Sequence, residues 1–192
     1  MQFVKEHTYY TFEEKKSKFI AHLFSYSHFK RIMEELKKEH PKARHFVYAY
    51  RYLNEFDQIV ENSSDDGEPK GTSGKPSLAV LAGKGLINIG VIVVRYFGGT
   101  RLGTGGLVRA YSDSVNLAIE NSNLYPYIKL FVKILIVDYG DLSKIEYQIS
   151  SYEITIIDKK FTTDVTLILE ASNEEFAKLS QILPKKYHLK EK

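Results

Sequence analysis

Residues 69–112 contain no Asp or Glu, yet they hold Lys70, Lys75, Lys84, Arg95, Arg101 and Arg109 and ten of the chain's twelve glycines. Glycine permits backbone conformations closed to other residues, and here it is concentrated together with cation. Cations without neighbouring acids leave positive charge to be matched from elsewhere. Between the glycines, Ile87–Val94 is apolar on both alternations and predicts a central strand covered on both faces. Asn62–Pro76 before it reads as a polar loop of about fifteen residues, a length that in a compact domain tends to be functional or disordered. Pro76 opens a short helix through Leu78, Leu81 and Ala82. Tyr96–Gly106 is a second glycine-rich loop, feeding a helix with Leu107, Ala110, Tyr111, Val115, Ala118 and Ile119 on one stripe.

The flanking regions are ordinary by comparison. Thr8–Phe12 and Phe19–Tyr26 read as strands joined by a charged turn. Ser27 is the expected cap of a helix carrying Phe29, Ile32, Met33 and Leu36, ended by Pro41. Phe46–Leu53 predicts a strand partnered by Phe56–Glu61, and Asn121–Pro126 a linker. Beyond it, a strand over Ile128–Val137, a helix from Asp141, strands Tyr152–Ile157 and Val165–Leu169 about an Asp158-Lys159-Lys160 turn, and a helix boxed by Ser172 and Glu175 follow one another. With a last strand near Tyr187–Leu189 the order is β-α-β-β-α-β, the ferredoxin-like arrangement. The expectation is an α+β chain of two domains, 1–124 and 127–192.

Several function classes fall away. A 43% apolar fraction and a net charge of +3 describe a folded chain. Zero cysteines remove disulfides, thiolate metal sites and cysteine nucleophiles. No apolar run approaches the roughly 20 residues of a membrane helix, and the start lacks the order of a signal peptide, so a cytoplasmic location is expected, with no membrane partner. A Walker-type loop ending at Gly74-Lys75 fails at Pro69 and Pro76, and a dinucleotide fingerprint from Gly103 fails at Val108. The six histidines form no His-x-x-x-His pair, although His22 and His45 are candidates to meet in space. There is no G-x-S-x-G elbow. Asp65, Asp66 and Glu68 lack calcium-loop spacing and read as turn residues that cap backbone N–H groups. No catalytic residue, metal or cofactor is expected.

What is left is generic anion chemistry. Gly98, Gly99, Gly103, Gly105 and Gly106 expose backbone N–H groups ahead of a helix N-terminus. Lys70, Lys75, Arg95, Arg101 and Arg109 supply phosphate contacts, and Tyr96 and Phe97 supply stacking faces, a set suited to single-stranded RNA. The alternative is that the glycines only make tight strand-to-helix turns and the arginines are solvated.

The runs Ser64-Asp65-Asp66-Gly67-Glu68-Pro69-Lys70-Gly71-Thr72-Ser73-Gly74-Lys75-Pro76, Val94-Arg95-Tyr96-Phe97-Gly98-Gly99-Thr100-Arg101-Leu102-Gly103 and Gly105-Gly106-Leu107-Val108-Arg109-Ala110-Tyr111 resemble the signature of the IMPACT/YigZ family. Lys16-Ser17-Lys18-Phe19, and His45 with Tyr48-Ala49-Tyr50-Arg51, are similar to it as well. The resemblance implies an N-terminal domain of the ribosomal protein S5 domain 2-like type and a small ferredoxin-like C-terminal domain, similar to domains IV and V of translocation factor EF-G. It brings no established catalytic activity, and the eukaryotic members' added partner-binding domain has no counterpart in this length. The expected function is a non-catalytic protein that binds RNA or the ribosome and modulates translation. Two alternatives stand beside it: a nucleotide- or phosphate-binding enzyme on an S5-like fold, and a protein-binding translational regulator using Tyr48, Tyr50 and Tyr52.

Overall fold

A computed structural model describes residues 1–191. The chain divides into two compact units, Met1–Tyr127 and the remainder from Ile128, each with strands and helices and its own apolar core, an α+β architecture throughout.

The first unit runs β1 (Gln2–Phe3), β2 (Thr8–Glu14), β3 (Ser17–Ser25), α1 (Phe29–Glu39), β4 (His45–Leu53), β5 (Ile59–Ser64), α2 (Gly74–Gly83), β6 (Ile89–Tyr96), α3 (Gly103–Glu120) and β7 (Tyr125–Pro126). Five strands form one antiparallel sheet in the order β2-β3-β6-β4-β5, so the apolar β6 occupies the centre. Its alternation feeds two cores. Val91 and Val93 join Phe19, Leu23 and Val47 beneath Leu107, Tyr111 and Val115 of α3. Ile92 and Val94 join Ile20, Phe24 and Phe46 beneath Ile32 and Leu36 of α1. A strand with helices on both faces has no side left for polar residues, which is why β6 shows no alternation.

Lys15 and Lys16 make the β2–β3 turn with φ of 46° and 64°, the left-handed pair that a two-residue hairpin demands. The segment after α3 is more than a linker, since β7 pairs with β1 and ties the two ends of the unit together. Both glycine-rich loops are shorter than expected. β5 extends to Ser64 and α2 begins at Gly74, leaving 65–73, while α3 begins at Gly103, leaving 97–102. A helix's first turn needs no intrahelical partner for its N–H groups, so it accommodates glycine where the interior does not. Ser27 is not a cap, because the chain enters α1 through a 3-10 turn over Tyr26–His28.

The second unit comprises β8 (Phe131–Val137), α4 (Leu142–Ile149), β9 (Thr155–Phe161), β10 (Val165–Ala171), α5 (Asn173–Ile182) and β11 (Lys190–Glu191), with antiparallel sheet order β11-β8-β10-β9. Leu135, Val137, Leu167 and Leu169 face Ile145 and Ile149 of α4 and Phe176 and Leu179 of α5. Ser172 Oγ accepts the Glu175 N–H at 3.2 Å, so this cap forms. Asp158-Lys159-Lys160 lies inside β9 instead of turning, and the hairpin bends at 162–164. Among the described residues no helix is long and apolar enough to cross a membrane.

Candidate functional site

The loop 65–73 is held by its own acids. Asp65 Oδ2 accepts the Gly71 N–H at 2.7 Å, and Oδ1 accepts the N–H groups of Ser73 and Gly74 at 3.1 and 2.9 Å and the Ser73 hydroxyl at 2.7 Å. It therefore occupies the N-terminus of α2 from outside the helix, satisfying donors that would otherwise have no partner. Burial works against its charge, but these hydrogen bonds prevail and hold its carboxyl below the usual carboxylate range. Asp66 Oδ2 accepts the Phe46 N–H at 2.6 Å, and its carbonyl accepts from His45 Nδ1 at 2.8 Å, which fastens the loop to the start of β4.

Glu68 reaches inward. Its Oε1 accepts from Arg95 Nη1 at 2.5 Å and from the Tyr111 hydroxyl at 2.8 Å, and His45 Nε2 lies 3.9 Å away. The Glu68 and Arg95 side chains are only 4% and 6% exposed. Burial first, and then the Glu68 charge, push the Tyr111 hydroxyl far above its ordinary pKa, so it stays a donor. The Arg95 guanidinium also lies over Phe19, 5.3 Å from the ring centroid, and 5.9 Å from that of Phe97.

This network corrects three sequence expectations. Arg95 is no surface phosphate ligand, because the alternation of β6 turns it under α3, where a charge is tolerable only beside Glu68. Tyr96, one residue on, points to the opposite face, packs in the α1 core and bonds His40 Nδ1 through its hydroxyl at 2.9 Å, so it does not stack beside Phe97. Gly98 serves chain crossing, since a Cβ there would sit 2.0 Å from the Lys16 carbonyl carbon.

The other expected residues are exposed, Gly106 excepted. Gly99 and Gly103 take φ of 90° and 72°, and nothing would crowd a Cβ on either or on Gly105. Gly106 is half-buried, against Leu102. No side chain caps α3, and its first turn carries no acid. Arg101 shares a cavity of about 350 Å³ with Gly103, Thr104, Phe97 and the buried Glu68–Arg95 pair. Lys75 lines a groove with Gly71 and with Val108 and Ser112 of α3. Arg109 lines a different hollow, on another side of α3, with Gly106 but also with Glu14 and Asp113. Lys70 is exposed on the 65–73 loop. Among the described residues none of these four cations forms an ion pair. The expected cations thus form no single groove: Arg95 is internal, Arg101, Lys75 and Arg109 line separate hollows along the first half of α3, and Lys70 is exposed on the 65–73 loop.

Sequence reasoning read Glu68 as a turn residue capping backbone N–H groups and Tyr111 as one of an apolar stripe, whereas Glu68 bonds Arg95 and Tyr111 and has His45 beside it. A run of acids just before an acid-free basic segment is itself a sign of internal pairing. His22 and His45 do not meet. His22 Nδ1 lies 3.1 Å from His7 Nε2 and its rings neighbour His40, while His45 faces the loop on the other side of the sheet. Burial, and then the charges of His7 and His40, push His22 down to about 3. Tyr48, Tyr50 and Tyr52 do share one alternation, with Tyr26 stacked on Tyr52 at 4.0 Å between centroids.

The family model for the Impact N-terminal domain matches residues 15–119, and that for a domain of unknown function, DUF1949, matches residues 135–184. An IMPACT family member of Haemophilus influenzae is 37% identical over 180 residues, covering 91% of this chain and 87% of the relative. The IMPACT family member YigZ of Escherichia coli is 40% identical over 158 residues, covering 81% and 78%. A crystal structure of a hypothetical protein superposes with a TM-score of 0.69 at 34% identity, covering 100% of this chain and 96% of the other.

Proposed function

The chain belongs to the IMPACT family, and on that premise we propose that it is a non-catalytic, cytoplasmic RNA-binding protein that engages ribosomal or other structured RNA and so modulates translation. The observation that carries this reading is the set Lys70, Lys75, Arg101 and Arg109, exposed and without ion-pair partners among the described residues, the last three lining hollows along a helix whose first-turn N–H groups no side chain caps. Phosphates would draw on both the side-chain charge and the helix N-terminus. The roles of Gly99, Gly103, Gly105 and Gly106 in this reading are to leave the backbone approachable. Arg109 contributes least, since Glu14 and Asp113 share its hollow.

The finer fold assignments belong to the same proposal: an S5 domain 2-like first unit and a ferredoxin-like second unit. The second is supported by its β-α-β-β-α-β order with a fully antiparallel sheet. Similarity of such domains to those of a translocation factor is what directs the reading to the ribosome; fold alone does not fix function.

Filter binding with single-stranded RNA and with purified small ribosomal subunits tests it. Binding at low salt that weakens on replacing Lys70, Lys75 and Arg101 by Ala is the expected result. No binding to either, combined with a magnesium-dependent thermal shift by ATP or GTP, contradicts it and favours the nucleotide-binding alternative.

A further inference from the structure

The cavity at the start of α3 is built differently from a phosphate groove. Its volume of about 350 Å³ lies within the range of small-ligand pockets, and Pro69, Phe97, Leu102 and Leu107 give it largely apolar walls. Phe97 is 53% exposed, a large aromatic ring left at the surface beside a cavity. Glu68 and Arg95 line the same cavity with side chains 4% and 6% exposed. Their mutual bond uses only part of their capacity. Arg95 Nε is buried without a hydrogen-bond partner, and among the described residues no hydrogen bond reaches Glu68 Oε2, all of them going to Oε1. A buried donor lacking a partner costs free energy unless something supplies the complement, and Glu68 keeps a second carboxylate oxygen beyond the one that bonds Arg95 and Tyr111.

From this we infer that the cavity receives one unpaired nucleobase, sandwiched against Phe97, with its hydrogen-bonding edge turned to the Glu68–Arg95 pair and its phosphate at Arg101 and the first turn of α3. A base carries an N–H donor beside a ring nitrogen or carbonyl acceptor, which is the complement of a carboxylate oxygen beside a guanidinium N–H. A purely phosphate-binding surface has no use for apolar walls or for a carboxylate, which repels the backbone. The inference rests on the RNA-binding reading and names what the same site grips: base as well as backbone. It also gives Arg95 a part in recognition, at the cavity floor instead of on the surface.

Fluorescence anisotropy with a labelled single-stranded RNA of about twelve nucleotides, within the span of known single-strand sites, and with an abasic strand of the same length and charge separates the two. The base-bearing strand is expected to bind about tenfold tighter, with Phe97→Ala removing that advantage and Phe97→Tyr, which keeps the ring, retaining it. Arg101→Ala weakens both strands alike. Competition by millimolar mononucleotides would assign the pocket to free nucleotides, and competition by oligomers alone to a strand; either supports the inference once the tenfold preference is seen. Equal affinity for both strands overturns the base pocket while leaving phosphate binding intact. Binding of neither overturns both.

Discussion

In the first unit, Glu68 and Arg95 meet with side chains 4% and 6% exposed, and Tyr111 and His45 close the set from α3 and β4. In the second, Lys186 bridges Asp138 and Asp141 at 2.5 and 2.7 Å with side chains 54%, 59% and 36% exposed. Both are ion pairs at similar distances, but their physics differs. Water and salt screen the exposed cluster, so it contributes little. The internal pair is hardly screened, and neither partner can be lost without stranding the other in a low dielectric. One unit therefore uses charge to fix geometry around a cavity, and the other carries it on the surface of an ordinary apolar core.

Four experiments break or sharpen that contrast. The largest effect is expected from Glu68→Ala, which strands Arg95 and Tyr111 and should cost about 3–5 kcal/mol of stability in calorimetry. A loss no greater than that of Asp138→Ala would erase the distinction. Next is pH. His22, ordinarily near 6.5, is held at about 3 in the folded unit, so its contribution is fully present above pH 6.5 and is lost as pH falls from there toward 3. One proton gives a slope of about 1.4 kcal/mol per pH unit, roughly 2 kcal/mol by pH 5. Amide exchange should show the first unit loosening over that window, and His22→Gln should flatten the dependence.

Asp65→Ala removes the acceptor for three backbone N–H groups at the start of α2 and should cost about 1–2 kcal/mol, with Asn restoring part of it. Because the Asp65 carboxyl is held below its ordinary range, its contribution is present above that range and disappears as pH falls through the folded value. The smallest effect belongs to Lys186→Ala, whose unfolding midpoint should match the parent within error in high salt.

Much of this molecule was legible from its residues. The doubly apolar Ile87–Val94 run identified the central strand, and the stripe from Leu107 to Ile119 identified α3, because burial on known faces writes a period into the sequence. The Ser172–Glu175 cap was readable because it is local. The direction of Arg95 was not, since it depends on a strand register set by partners far along the chain. Gly98 was misread for a related reason. Its lack of a side chain serves the crossing of the β2–β3 turn, a contact spanning some eighty positions. Glu68 precedes Arg95 by 27 residues, and only the fold shows that this pair is internal.

The salt dependence of RNA binding tests the central claim most directly. Four exposed cations neutralising phosphates on a single strand predict a slope of log affinity against log salt of about −3. Replacing Lys70, Lys75, Arg101 and Arg109 together by Ala should bring that slope close to zero while the melting temperature holds. An unchanged slope in the fourfold variant would contradict the account.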